Sequence, residues 1–237
     1  MRLIPAIAIV VTGAVAHADN KWEAAGEHVQ GGAYLHYELS GLTAVDDAMP
    51  ASKASELVLA GARLHGFLGE GASVGYQIGG ALFAGSTLRG GGFAYDVAVF
   101  PIGMVVRFGK TSIVGVSTGV GASGAVGTLD DAITVPVEAV VELGNSWRVL
   151  GRARFSYVAG ADSRQSAAPS APFADELDAM LGLRFGKHYD QHGFPSGNGY
   201  FVAVSYRELA DTRFAGLTIG YSIDLAMPRR FIGSDRK

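Results

Sequence analysis

At 237 residues the chain is long enough for one large domain, and a formal charge of -3 with a pI near 6.1 leaves no basic surplus for a nucleic-acid footprint. It contains no cysteine, which excludes a disulfide scaffold and a lipid anchor on an acylated cysteine. Its 34 glycines sit largely inside apolar runs, where a helix would suffer, and favour a β architecture.

The first 18 residues carry Arg2, an apolar stretch from Leu3 to Val11 and the small-residue site Ala16-His17-Ala18. This is the pattern of a secretory signal peptide, with cleavage expected before Asp19 and residues 19–237 as the mature domain. Export without disulfides fits a bacterial envelope protein. Beyond this segment no window of 18 uninterrupted apolar residues occurs, so membrane-spanning helices are not expected.

The mature chain alternates with a period of two, the strand signature. In Val29 to Leu39, Ala33, Leu35, Tyr37 and Leu39 alternate with Gln30, Tyr34, His36 and Glu38. Val58 to Leu68 sets Val58, Ala60, Ala62 and Leu64 against Arg63 and His65. Residues 72–84 set Val74, Tyr76, Ile78 and Leu82 against Ser73 and Gln77. The run 93–107 is apolar on both faces and its register stays open. Residues 113–123 set Val114, Val116 and Val120 against Gly115, Ser117 and Gly119.

The next three runs share one design. In 134–143, Val135, Val137, Ala139, Val141 and Leu143 oppose Glu138 and Glu142. In 146–160, Trp147, Val149, Phe155 and Tyr157 oppose Arg148, Arg152 and Arg154. In 173–187, Leu177, Ala179, Leu181, Leu183 and Phe185 oppose Glu176, Asp178, Met180 and Arg184. With 200–207 and 214–225, ten strands are predicted. A tight hairpin at Gly144-Asn145-Ser146, with Leu143 opposite Trp147, would set Glu142 against Arg148 and Glu138 against Arg152.

The connections alternate long and short through the first seven, as expected where short periplasmic turns face longer outer loops; 187–198 and 209–213 depart from this. Alternation alone also fits a soluble barrel with its charged row in water. Three features favour lipid outside: aromatic residues near the strand ends of the apolar face, a mean hydropathy of +0.24, and charges that pair off. The expected inward set is Glu38, Asp96, Glu138, Glu142, Glu176, Asp178 and Asp224, with Arg63, Arg148, Arg152, Arg154, Arg184 and Arg207. Arginine rather than lysine suits fixed, partly dehydrated pairing with carboxylates.

On the last strand, Thr218-Ile219-Gly220-Tyr221-Ser222-Ile223-Asp224-Leu225 reads polar, any, Gly, any, any, apolar, any, apolar. This resembles the assembly signal of bacterial outer-membrane β-barrel proteins, at Thr218, Gly220, Ile223 and Leu225. The resemblance implies recognition by the barrel assembly machinery and an outer-membrane location; the family's pattern ends the chain with an aromatic residue, whereas here residues 226–237 follow and are read as a short periplasmic tail.

Other motifs carry less. Gly119-Val120-Gly121-Ala122-Ser123-Gly124 matches a dinucleotide fingerprint, but a loop rather than a helix is expected after it. Gly109-Lys110-Thr111 lacks the spacing of a phosphate-binding loop. His188 and His192 lie among Gly193, Pro195 and Gly197, so no metal site is assigned; nor is one assigned to Asp46, Asp47, Asp130, Asp131 and Asp162, expected in outer loops. His36, Glu38 and His65 share the inward face and are the candidate base and orienter of a hydrolase.

The sequence is therefore read as an antiparallel, up-and-down transmembrane β-barrel of ten strands in the outer membrane. It is expected to contact membrane lipid, hold no cofactor, bind no nucleic acid and serve a non-enzymatic, structural or surface-interaction role. The alternatives are a narrow channel for small solutes, a membrane-face hydrolase, and a soluble periplasmic ligand-binding barrel.

Overall fold

The computed structural model describes residues 32–45, 56–68, 74–88, 92–108, 112–126, 131–144, 147–162, 176–186, 199–209 and 212–225. The proposed signal peptide (1–18), the tail (226–237), His188, His192 and most of the inter-strand connections lie outside them. Ten strands run in chain order: β1 Gly32–Ala44, β2 Glu56–Leu68, β3 Val74–Thr87, β4 Phe93–Phe108, β5 Ser112–Val126, β6 Asp131–Gly144, β7 Trp147–Asp162, β8 Glu176–Gly186, β9 Gly199–Leu209 and β10 Thr212–Leu225. Each pairs antiparallel with its sequence neighbours, and β1 pairs with β10, so the sheet is an up-and-down barrel without an edge. The strands run from 11 to 16 residues, long enough to cross a bilayer at a tilt.

The uncertain run 93–107 is resolved by a bulge. Pairing of β4 with β5 skips from Val99↔Val120 to Ile102↔Thr118, leaving Phe100 and Pro101 opposite Gly119. Proline has no N–H for the ladder, and a Cβ on Gly119 would fall 1.7 Å from the Val99 carbonyl oxygen. Outward positions therefore switch from Val97 and Val99 to Ile102 and Met104, so one uninterrupted alternation cannot describe the strand. The Pro101 carbonyl is met on the outer wall by the Tyr76 hydroxyl, which donates to it. Tyr76→Phe is expected to reduce stability by about 1–3 kcal/mol, because it strands that carbonyl; urea unfolding of the detergent- or lipid-reconstituted barrel measures this.

The hairpin between β6 and β7 corrects the expected register by two residues. Gly144 pairs with Arg148 and Leu143 with Val149, so Glu142 lies across from Leu150 and Glu138 from Arg154. Gly144 takes φ +120°, and a Cβ there would sit 2.3 Å from the Trp147 carbonyl oxygen. Glycine is thus the last paired residue before the turn, not its first free one. A shift of two preserves every face while changing every partner. Asp131 and Asp162, expected in loops, are the first residue of β6 and the last of β7, and they pair across the ladder.

Candidate functional site

The barrel turns its apolar row outward on all ten strands. Tyr37, Leu64, Leu82, Ile102, Val120, Ile133, Trp147, Leu181, Val204 and Leu217, one from each strand in order, are all exposed. Among the described residues, the charged side chains seen on this outer wall are Glu56, Asp131, Glu208 and Arg213, all at the loop ends of their strands. Between these and the opposite rim, no described outward side chain carries a charge. Trp147, Phe185, Tyr200, Tyr221 and Tyr37 form a continuous row of directly paired residues across β7, β8, β9, β10 and β1. Trp147 and Phe185 pack at 5.6 Å between ring centroids, and Tyr200 and Tyr221 at 4.8 Å.

The charges are inside. Six carboxylates (Glu38, Asp96, Glu138, Glu142, Glu176 and Asp178) and six guanidinium groups (Arg63, Arg148, Arg152, Arg154, Arg184 and Arg207) are buried, the most exposed of them at 7 %. The side chain of Asp224, the remaining member of the expected set, lies outside the described atoms. Alternation places these residues on the inner face, and closure of the sheet brings them into three tiers.

Nearest the start of β1, Glu142 accepts from Arg148 Nη1 at 3.1 Å and from Arg184 Nη1 at 3.2 and 3.1 Å. Its Oε1 also lies 4.0 Å from His36 Nε2, while Ser222 Oγ lies 2.7 Å from His36 Nδ1. In the middle tier Glu38 takes a two-bond fork from Arg152, at 2.7 and 3.1 Å, and lies 3.7 Å from Arg63 Nε. Arg63 Nη1 donates to Glu138. In the third tier Arg154 grips Asp96 at 3.0 and 2.5 Å, and Arg207 bridges Asp96 and Asp178 at 3.1 and 2.8 Å. Forked arginine bonds of this kind fix geometry as well as charge. Phe83 lies between the Arg63 and Arg207 guanidinium groups, 5.6 and 5.5 Å from its ring centre. Towards the loops, Ser123 donates to Glu176, and Leu42, Leu57, Leu59, Ala94, Leu209 and Phe214 then close the interior with an apolar layer.

These contacts revise the expected pairs. Glu142 and Arg148 meet, though on a diagonal. Glu138 binds Arg63 rather than Arg152, and Arg152 reaches Glu38 on the far side of the barrel. The base and orienter expected of His36 and Glu38 is not formed, because two arginines hold Glu38. His36 instead faces Ser222 and Glu142, with His65 edge-on at 5.9 Å. Hydroxyl, imidazole and carboxylate thus line up, but Ser222, His36 and Glu142 are between 0 and 3 % exposed and Glu142 is shared by two guanidinium groups.

Of the assembly-signal residues, Thr218 faces inward in a hydroxyl chain, 2.8 Å from Ser40 and 2.6 Å from Ser205. Gly220 admits the Phe201 ring, which a Cβ would approach to 2.2 Å. Ile223 is half-buried on the strand, and Leu225 ends it opposite Ala33. Gly119 to Gly124 lie inside β5, without the helix that a pyrophosphate site would need. Ser222 and Ser123 were not singled out from sequence; their inward parity was the signal that could have found them.

No family model matches the chain, and no curated protein does. Two solved structures are similar in outline. The beta domain of the Bordetella autotransporter BrkA is 12 % identical, with a TM-score of 0.42 over 84 % of this chain and 100 % of that one. OccK5 (OpdH) of Pseudomonas aeruginosa is 6 % identical, with a TM-score of 0.23 over 84 % of this chain and 99 % of that one. The architecture rests on this chain's own strand pairing: all-β, closed, antiparallel and ten-stranded.

Proposed function

We propose that the chain is an integral outer-membrane barrel whose interior is packed shut, and that its role is structural or in surface interaction rather than transport. One observation carries this reading: the polarity is inverted relative to a protein dissolved in water. The midsection of the wall is apolar and uncharged, while paired charges fill the inside. In hydrocarbon every backbone group must be satisfied internally, which a closed barrel achieves. An N-terminal segment with export character and the Thr218–Leu225 motif agree with that destination.

Closure of the lumen results from side-chain bulk and pairing. Ten strands enclose a bore only slightly wider than the eight-stranded case that side chains fill. Here arginine–carboxylate pairs cross the bore in three tiers beneath an apolar layer. The test is cell fractionation with gel mobility before and after boiling in detergent, followed by planar-bilayer recording. Recovery in the outer-membrane fraction, a shift on boiling and a silent bilayer are expected. Release with the periplasm, unshifted, would overturn the membrane assignment; steady conductance would overturn the closed lumen and favour a narrow channel.

A further inference from the structure

The middle of the plug contains a small cavity. Strands β1 and β2 stand opposite β6 and β7, halfway round the ring of ten. His36, Glu38, Arg63 and His65 line the cavity from the first pair. Val140 and Leu150 line it from the opposite wall, with Met180 of β8 and with Arg152, which reaches across to Glu38. The cavity measures about 10 Å³, room for one water molecule. Every residue lining it is buried, the most exposed at 7 %.

The lining is part polar and part apolar. Buried side-chain atoms without a hydrogen-bond partner among the described residues occur at several places round the interior. Arg63 (Nε and Nη2) and Arg152 (Nε) both carry such atoms, and both residues line the cavity. Arg63 Nε lies 3.7 Å from Glu38 Oε1, too far for a direct hydrogen bond. Glu38 takes two bonds from Arg152, and an ionised carboxylate has lone pairs for about four. Unused donors and an acceptor with spare capacity therefore border the same small space.

We infer that this cavity is a site for one ordered water molecule, which accepts from the Arg63 and Arg152 guanidinium groups and donates to Glu38. A water does both at once, and so matches donors and an acceptor that share one space. Charge leads to the same occupant. Arg63 and Arg152 stand against Glu38 and Glu138, two cations against two anions, so no net charge is left for an ion to neutralise. A halide would also accept without donating, beside a carboxylate. Val140, Leu150 and Met180 offer a second water nothing to bond, and the volume admits one. The site lies between the Glu142 tier, which His36 faces, and the Glu38 tier, so solvent is built into the plug where those two layers meet. It requires only that the sheet is closed, and stands independently of what surrounds the barrel.

Val140→Ile adds one methyl group on the apolar side and tests the site by the sign of its effect. In a dry cavity the methyl fills empty space and raises the urea midpoint of the folded barrel. With water bound, the methyl displaces it and leaves guanidinium N–H groups unbonded, so the midpoint falls. Crowding alone also lowers a midpoint, so crystals of the wild-type barrel supply the second readout. They are expected to show one water within hydrogen-bond distance of Arg63, Arg152 and Glu38, and crystals of Val140→Ile to lack it. Boiling-dependent gel mobility confirms that the variant has folded before its midpoint is read. An empty cavity in the wild-type crystals, or an unchanged or raised midpoint, would overturn the site. An anomalous peak in the cavity after a bromide soak would overturn the neutral occupant.

Discussion

Leu181→Arg is expected to destabilise the barrel in phospholipid bilayers by about 2–4 kcal/mol, the range for a cation placed on the lipid face near the midplane. Leu181 lies at the centre of the 11-residue β8, is 59 % exposed, and pairs with Gly151 on one side and Val204 on the other. On a water-facing wall the same substitution at so exposed a site would change stability by no more than about 0.5 kcal/mol. Urea titration of the protein folded into phosphatidylcholine vesicles, followed by Trp fluorescence and gel mobility, separates the two. Arg213→Leu is the control: Arg213 is also outward and exposed, but it stands at the loop end of β10 beside Glu208, and a small effect is expected. A near-neutral Leu181→Arg would reverse the assignment of the faces.

The second large effect is inside. Glu142→Ala deprives Arg148 and Arg184 of the carboxylate they share, and removes the acid facing His36. Two buried cations would then lose their shared counter-charge. Breaking a buried pair from one side costs about 3–5 kcal/mol, and here two pairs break together. The same unfolding assay should therefore show Glu142→Ala failing to fold or unfolding at much lower urea. Replacing all three as Glu142→Leu, Arg148→Met and Arg184→Met is expected to recover most of the loss, because the penalty lies in burying cations that have lost a carboxylate rather than in the missing bridge itself. Failure of the triple variant to recover would mean that the tier sets the strand register as well as its own charge balance.

Much of this fold was legible because strand alternation encodes faces directly. All ten strands were readable, and the inward parity of Glu138, Glu142, Arg148, Arg152, Arg154, Glu176, Asp178 and Arg184 came from counting by two. What alternation does not encode is position along the partner. The hairpin after Gly144 slipped by two residues without moving one side chain to the wrong face, so a test based on faces could not detect it. The run 93–107 was opaque for the opposite reason, since the bulge at Pro101 changes parity within one strand. Contacts across the bore were beyond reach. Arg152 meets Glu38 at a separation of 114 residues and Arg154 meets Asp96 at 58, distances set by how the sheet closes rather than by any local pattern.

The seam between β1 and β10 bears on how the molecule comes into being. The two strands pair from Ala33↔Leu225 to Ala44↔Phe214, and the Ser40–Thr218 hydroxyl contact across the seam spans 178 residues. Contacts this distant in sequence make folding slow, because the ordering entropy is lost before they form. Until the final strand docks, β1 and β9 are open edges that can recruit a stray strand from another copy. A chain cut short before Thr212 would keep every tier residue except Ser222 and still could not close. It is expected to aggregate rather than settle as a smaller barrel, which makes the last 14-residue strand the step on which productive folding turns.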